Sequence, residues 1–118
     1  MSRTVIAAVD DMFFASKIRA TAESLGVAVS FVRKQERILS GAREKRPDLI
    51  LVDLHSQTVD PLAIAVALKS EPDLQSIPLL GFFSHVRTDL LEEAREAGYD
   101  TVVPRSVFSR DLASILIG

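Results

Sequence analysis

The chain has 118 residues, 47% of them hydrophobic, enough for one domain over residues 1–118 and too apolar for a disordered chain. A formal net charge of -2, with lysines and arginines spread along the sequence, gives no general attraction to nucleic acid, and the absence of cysteine excludes disulfides and thiolate metal sites. The longest apolar runs, 49–52 and 79–83, are too short to span a bilayer, and the N-terminus has no signal-peptide pattern, so a cytoplasmic protein with no membrane or direct nucleic-acid partner is expected.

Strand and helix signals alternate along the chain. Residues 4–9 read as a buried strand. The spacing of Phe14, Ile18, Ala22 and Leu25 predicts a helix over 12–25, stopped by Gly26. Val27, Val29 and Phe31 alternate with smaller or polar neighbours, which suits a half-buried edge strand over 27–32. A charged helix over 35–46 buries Ile38, Leu39 and Ala42, and Pro47 ends it. Residues 49–52 are apolar at every position, the mark of a central parallel strand covered on both faces. Asp60 as N-cap and Pro61 at the first helical position open a third helix that runs to Ser70. Pro72 breaks it. Residues 79–83 form a fourth strand and 88–97 a fourth helix, with Leu91, Ala94 and Ala97 inward and Gly98 as its stop. A short strand over 101–103 and a last helix over 108–117 follow.

Five βα units with short connections predict an α/β fold: a doubly wound, flavodoxin-like five-stranded parallel sheet in the order 2-1-3-4-5, with five helices on its faces. In that order the chain reverses between the first and third strands. Asp10 and Asp11 end the first strand and Asp53 ends the third, so all three flank the reversal, where such folds place their chemistry. Carboxylates gathered there repel unless a cation or a basic side chain lies between them. That corner is the candidate site.

The chain resembles a response-regulator receiver domain, an atypical member of the CheY-like superfamily. The resemblance rests on Val9-Asp10-Asp11 after the first strand, on the run from Pro47 and Asp48 to Asp53, on Ile77-Pro78-Leu79-Leu80, and on the segment from Ala94 to Asp100. It covers almost the whole chain, and the order and spacing of the pieces carry it. It implies that Asp53 is the phosphoacceptor, that Asp11 ligates Mg²⁺ directly, that Asp10 holds metal-bound water, and that the His55 backbone carbonyl completes the metal site. Mg²⁺ favours oxygen ligands of this kind, and an aspartate nucleophile needs neighbouring positive charge to take a phosphoryl group.

The departures concern the switching half of the pattern. Phe83 stands where the family has a threonine or serine, with Ser84 one residue later as a hydroxyl substitute. Arg105 stands in the lysine position, with Pro104 before it and Ser106 after it, and Val102 replaces the switching aromatic. Arginine is longer and planar and pairs side-on with carboxylates, so Arg105 would tether Asp53 or accept a phosphoryl oxygen. Phe83 cannot hydrogen-bond a phosphoryl group.

Two surfaces complete the reading. Phe13 falls on the exposed flank of the first helix beside the acidic corner, where receivers dock their phosphodonor, so the resemblance implies a partner anchor there. Arg87, Arg95, Arg105 and Arg110 are expected on the side formed by the fourth helix, fifth strand and fifth helix, which the resemblance implies is used for homodimers and outputs. The function expected is that of a stand-alone receiver in two-component (phosphorelay) signalling, fed by a histidine kinase or phosphotransfer protein and at most catalysing its own phosphorylation and dephosphorylation. The alternative is an adaptor independent of phosphorylation, held shut by Arg105 and working through contacts with another signalling protein. A small flavodoxin-like enzyme would need a placed acid–base pair. Ser84 and His85 are adjacent in sequence and point opposite ways in a strand, and no glycine-rich phosphate loop is present.

Overall fold

The computed structural model describes residues 3–84 and 88–118. Its elements run β1 (Thr4–Ala8), α1 (Met12–Leu25), β2 (Ala28–Phe31), α2 (Gln35–Lys45), β3 (Leu49–Asp53), α3 (Pro61–Ser70), β4 (Leu79–Phe83), α4 (Thr88–Ala97), β5 (Thr101–Pro104), α5 (Arg105–Arg110) and α6 (Leu112–Ile117). The sheet is parallel throughout, in the order β2-β1-β3-β4-β5. The expected topology is therefore present, with its reversal between β1 and β3.

Side-chain alternation divides the core in two. Val5 and Ala7 of β1 and Leu49 and Leu51 of β3 face α1, α5 and α6. Ile6 and Ala8, with Ile50 and Val52, face α2, α3 and α4. All eight are buried, which explains why residues 49–52 carry no polar position. On the first side the rings of Phe14, Phe82 and Phe108 pack together. Phe82 and Phe108 stack at 4.6 Å, and Phe14 is tilted against both at 5.2 and 5.5 Å. These rings join α1, β4 and α5.

Helix ends follow local chemistry. Asp11 caps α1, its carboxylate accepting from the amides of Phe13 and Phe14, and Gly26 closes the same helix in the left-handed region at φ 71°. Asp60 caps α3 ahead of Pro61, as expected. Most strand and helix ends fall within a residue of expectation, and the C-terminal helix differs most. The last helix starts at Arg105, because Pro104, with its φ near -63°, leads straight into it. It is also broken at Asp111, giving six helices among the described residues. Asp111 leaves helical geometry at φ -101°, ψ 15°, and its carboxylate accepts two bonds from its neighbour Arg110 at 3.0 and 3.1 Å. Adjacent side chains do not face each other along a regular helix, so this pairing goes with the break. No helix among the described residues is long and apolar enough to cross a membrane.

Candidate functional site

The carboxyl ends of β1 and β3 place Asp10, Asp11 and Asp53 side by side, since Ala8 is in register with Val52. The three carboxylates then go separate ways. Asp11 lies in the N-cap of α1: Oδ1 accepts from the Phe13 and Phe14 amides at 2.9 and 3.1 Å. Its Oδ2 accepts from Arg105 Nη2 at 2.9 Å. The Arg105 guanidinium holds the Asp11 carboxyl below the ordinary carboxylate range, and the cap amides add to this. Arg105 is fixed from a second direction, its guanidinium carbon 4.1 Å above the centre of the Phe14 ring.

Asp10 turns to the loop after β3. Its Oδ1 accepts from Ser56 Oγ at 2.9 Å and from Thr58 Oγ1 at 2.7 Å, and its Oδ2 accepts from the Gln57 amide at 2.7 Å. Burial opposes its charge, but hydrogen bonds from Thr58, Gln57 and Ser56 outweigh burial and lower its pKa. Asp10 thus latches the 56–58 segment to β1. Ser56 and Thr58 escaped the sequence reading. Their signal was two hydroxyls in the loop that follows Asp53.

Asp53 is the least compensated of the three. It is partly buried at the end of β3, and its Oδ1 accepts from the His55 amide at 2.9 Å. Burial raises its pKa; the His55 amide and imidazole and the more distant Arg105 pull it down, while the Asp10 charge pushes it up. The His55 amide is the group that hydrogen-bonds Asp53. Among the described residues, no group of three acidic or histidine side chains is placed to hold a metal ion.

The switching positions are apolar. Phe83 is 5% exposed and packs in the core on the α3 and α4 side, with Val102 partly buried against it. Ser84 is exposed just past β4 and makes no hydrogen bond to Asp53 or Arg105 among the described residues. Phe13 is 90% exposed at the start of α1, beside Met12 at 66%. Arg95 is exposed on α4. Arg110 is exposed and paired with Asp111. Arg87 lies outside the described residues, as does His85. Arg105 pairs with Asp11, and not with Asp53, where its tether is expected, because Asp11 Oδ2 lies 2.9 Å from its guanidinium.

No protein-family model matches the chain. Among characterised relatives, the polar-differentiation response regulator DivK of Brucella anthropi is 26% identical over 107 residues, which cover 91% of this chain and 87% of that protein. Among solved structures, the receiver domain of a sensor histidine kinase from Pseudomonas aeruginosa PAO1, with magnesium coordinated in its active-site cleft, superposes with a TM-score of 0.84 at 19% identity over 98% of this chain and 95% of that one. The chemotaxis response regulator CheY4 of Vibrio cholerae superposes with a TM-score of 0.84 at 16% identity, over 99% of this chain and 98% of that one. A sheet in this order, with aspartates at its reversal, gives the chain the fold of those receiver domains, and along nine-tenths of its length its sequence is similar to a response regulator.

Proposed function

We propose that this chain is a receiver of two-component signal transduction that works through protein contacts, with its acidic site closed by Arg105. One observation carries the reading: the Arg105 guanidinium is fixed between Asp11 Oδ2 at 2.9 Å and the Phe14 ring at 4.1 Å. It supplies the positive charge that Asp11 would otherwise draw from a cation. The neighbouring P. aeruginosa receiver holds magnesium in its cleft, and the oxygen chemistry of the three aspartates suits that ion. Their arrangement does not. Asp11 is spent on the helix cap and Arg105, and Asp10 on Ser56, Gln57 and Thr58. Phe83 and Val102 remove the hydroxyl and the ring through which the family passes its signal. Partners would be a histidine kinase, a phosphotransfer protein or another signalling protein.

A second reading, phosphoacceptance at Asp53, is favoured by one detail. Only Oδ1 of that carboxylate has a hydrogen bond among the described residues, which leaves Oδ2 as an available nucleophile. That reading requires Arg105 to release Asp11.

Intact mass after incubation with a small-molecule phosphodonor and Mg²⁺, beside an Asp53→Asn control, separates the two. The contact reading expects no adduct on the wild type, and expects Arg105→Ala to gain Mg²⁺ affinity in a titration. An adduct on the wild type that needs both Mg²⁺ and Asp53 would establish the second reading.

A further inference from the structure

We infer that the outer edge of β2 is a docking site for an acidic peptide in extended conformation. The Ala28 amide donates to Arg3 O and the Val32 amide to Ala7 O, both at 2.9 Å. Residues 28 and 32 therefore point their backbone groups at β1. By alternation along a parallel strand, Val29 and Phe31 point theirs away from the sheet. β2 is the terminal strand, so these groups form an open ladder able to pair with one more strand.

The two faces beside this edge differ in character. On the α2 side lies a groove of about 690 Å³. Its floor is small, with Ser30 on the strand and Gly41 on the helix, and its rim carries Arg33, Lys34, Arg37 and Lys45 against the single carboxylate of Glu44. None of these four cations makes an ion pair among the described residues, whereas Arg43, Lys69, Arg105 and Arg110 all do. Arg33 and Lys45 are directed to neutral acceptors, Met12 Sδ and Ser30 Oγ. On the α1 side a smaller notch of about 170 Å³ is lined by Met12, Ala15 and Phe31 together with Arg19 and Arg33, and the Arg19 guanidinium lies 4.8 Å over the Phe31 ring.

A strand laid along this edge would send alternate side chains to the two faces. Acidic residues would meet the cations of the α2 groove, and apolar residues would meet Met12, Ala15 and Phe31 beside Arg19. The charge also selects among occupants. A second copy would bring the same four cations against their counterparts, and like charges across an interface are repelled. The chain as a whole is acidic, at -2, so this patch is a local reversal of sign.

The test is fluorescence anisotropy with a labelled short peptide that alternates glutamate and valine. The expected result is binding to the wild-type protein that weakens with salt, drops roughly tenfold or more in an Arg37→Glu/Lys45→Glu variant, and is lost when the peptide's alternate amides are N-methylated. Thermal melts of the variant, whose two sites are exposed, are expected to match the wild type. Three results would overturn the inference. One is no binding. Another is equal binding of the N-methylated peptide or of heparin, which would show charge attraction without strand pairing. The third is a wild-type dimer in size-exclusion chromatography that Val29→Pro abolishes, which would make a second copy the occupant.

Discussion

Asp53 is the one of the three site aspartates whose surroundings, on balance, oppose its charge. Burial raises its pKa, so the folded chain holds the proton more tightly than the unfolded one. Its contribution to stability is therefore full below the ordinary carboxylate range and is lost as pH rises through the folded value. Asp53→Asn is expected to melt higher than wild type near neutral pH, by less than about 1 kcal/mol once solvent screening is counted, with the gap closing below about pH 4. Asp10 behaves in the opposite sense. Its pKa is lowered by its loop hydrogen bonds, so its contribution is present above the ordinary range and is lost as pH falls through the lowered value. Asp10→Asn should melt lower at neutral pH and converge on wild type in acid. Thermal melts of the two variants across pH check both signs. These positions were legible in the sequence because an aspartate after an apolar run marks a strand end. Their partners were not legible. That Arg105 takes Asp11, and that Ser56 and Thr58 take Asp10, depends on side-chain direction at a helix start and in a loop, which residue spacing does not encode.

Elements with strong periodicity or strong caps were readable, and the structure has them. The 12–25 helix keeps its full span because Asp11 and Gly26 close its two ends. The short pieces were harder. β2 spans Ala28–Phe31, shorter than its alternation suggests, because hydrophobic pattern marks burial and not the extent of hydrogen bonding. The break at Asp111 goes with an ion pair between sequence neighbours, which no period reveals. Packing between elements makes two further predictions. A Cβ at Gly81 of β4 would come within 2.8 Å of Leu54 Cδ2 and 3.1 Å of Tyr99 Cδ1. Gly81→Ala should therefore destabilise the chain by roughly 1–3 kcal/mol through overpacking, read from urea denaturation. The Tyr99 hydroxyl donates to Pro61 O at 2.8 Å, tying the start of α3 to the segment before β5. Tyr99→Phe should cost about 1 kcal/mol in the same assay, with the fold retained.

At the scale of the molecule, the sheet separates two cores and gathers the aspartates at one of its ends, beside Phe13. That ring is 90% exposed and adds nothing to either core. Phe13→Ala should leave stability within about 0.5 kcal/mol of wild type while weakening capture of a phosphotransfer partner in a titration. Unchanged partner affinity would remove Phe13 from the interface. The ring cluster under the acidic corner has a further consequence. Arg105 rests on Phe14, and Phe14 touches Phe82 and Phe108. A guanidinium over an aromatic face sits in the shielding region of the ring current. The Arg105 side-chain protons should therefore resonate upfield of an ordinary arginine in the proton NMR spectrum. That displacement is a built-in spectroscopic gauge: it would vanish when the arginine leaves Asp11, so the open and closed states of this site can be told apart without a label.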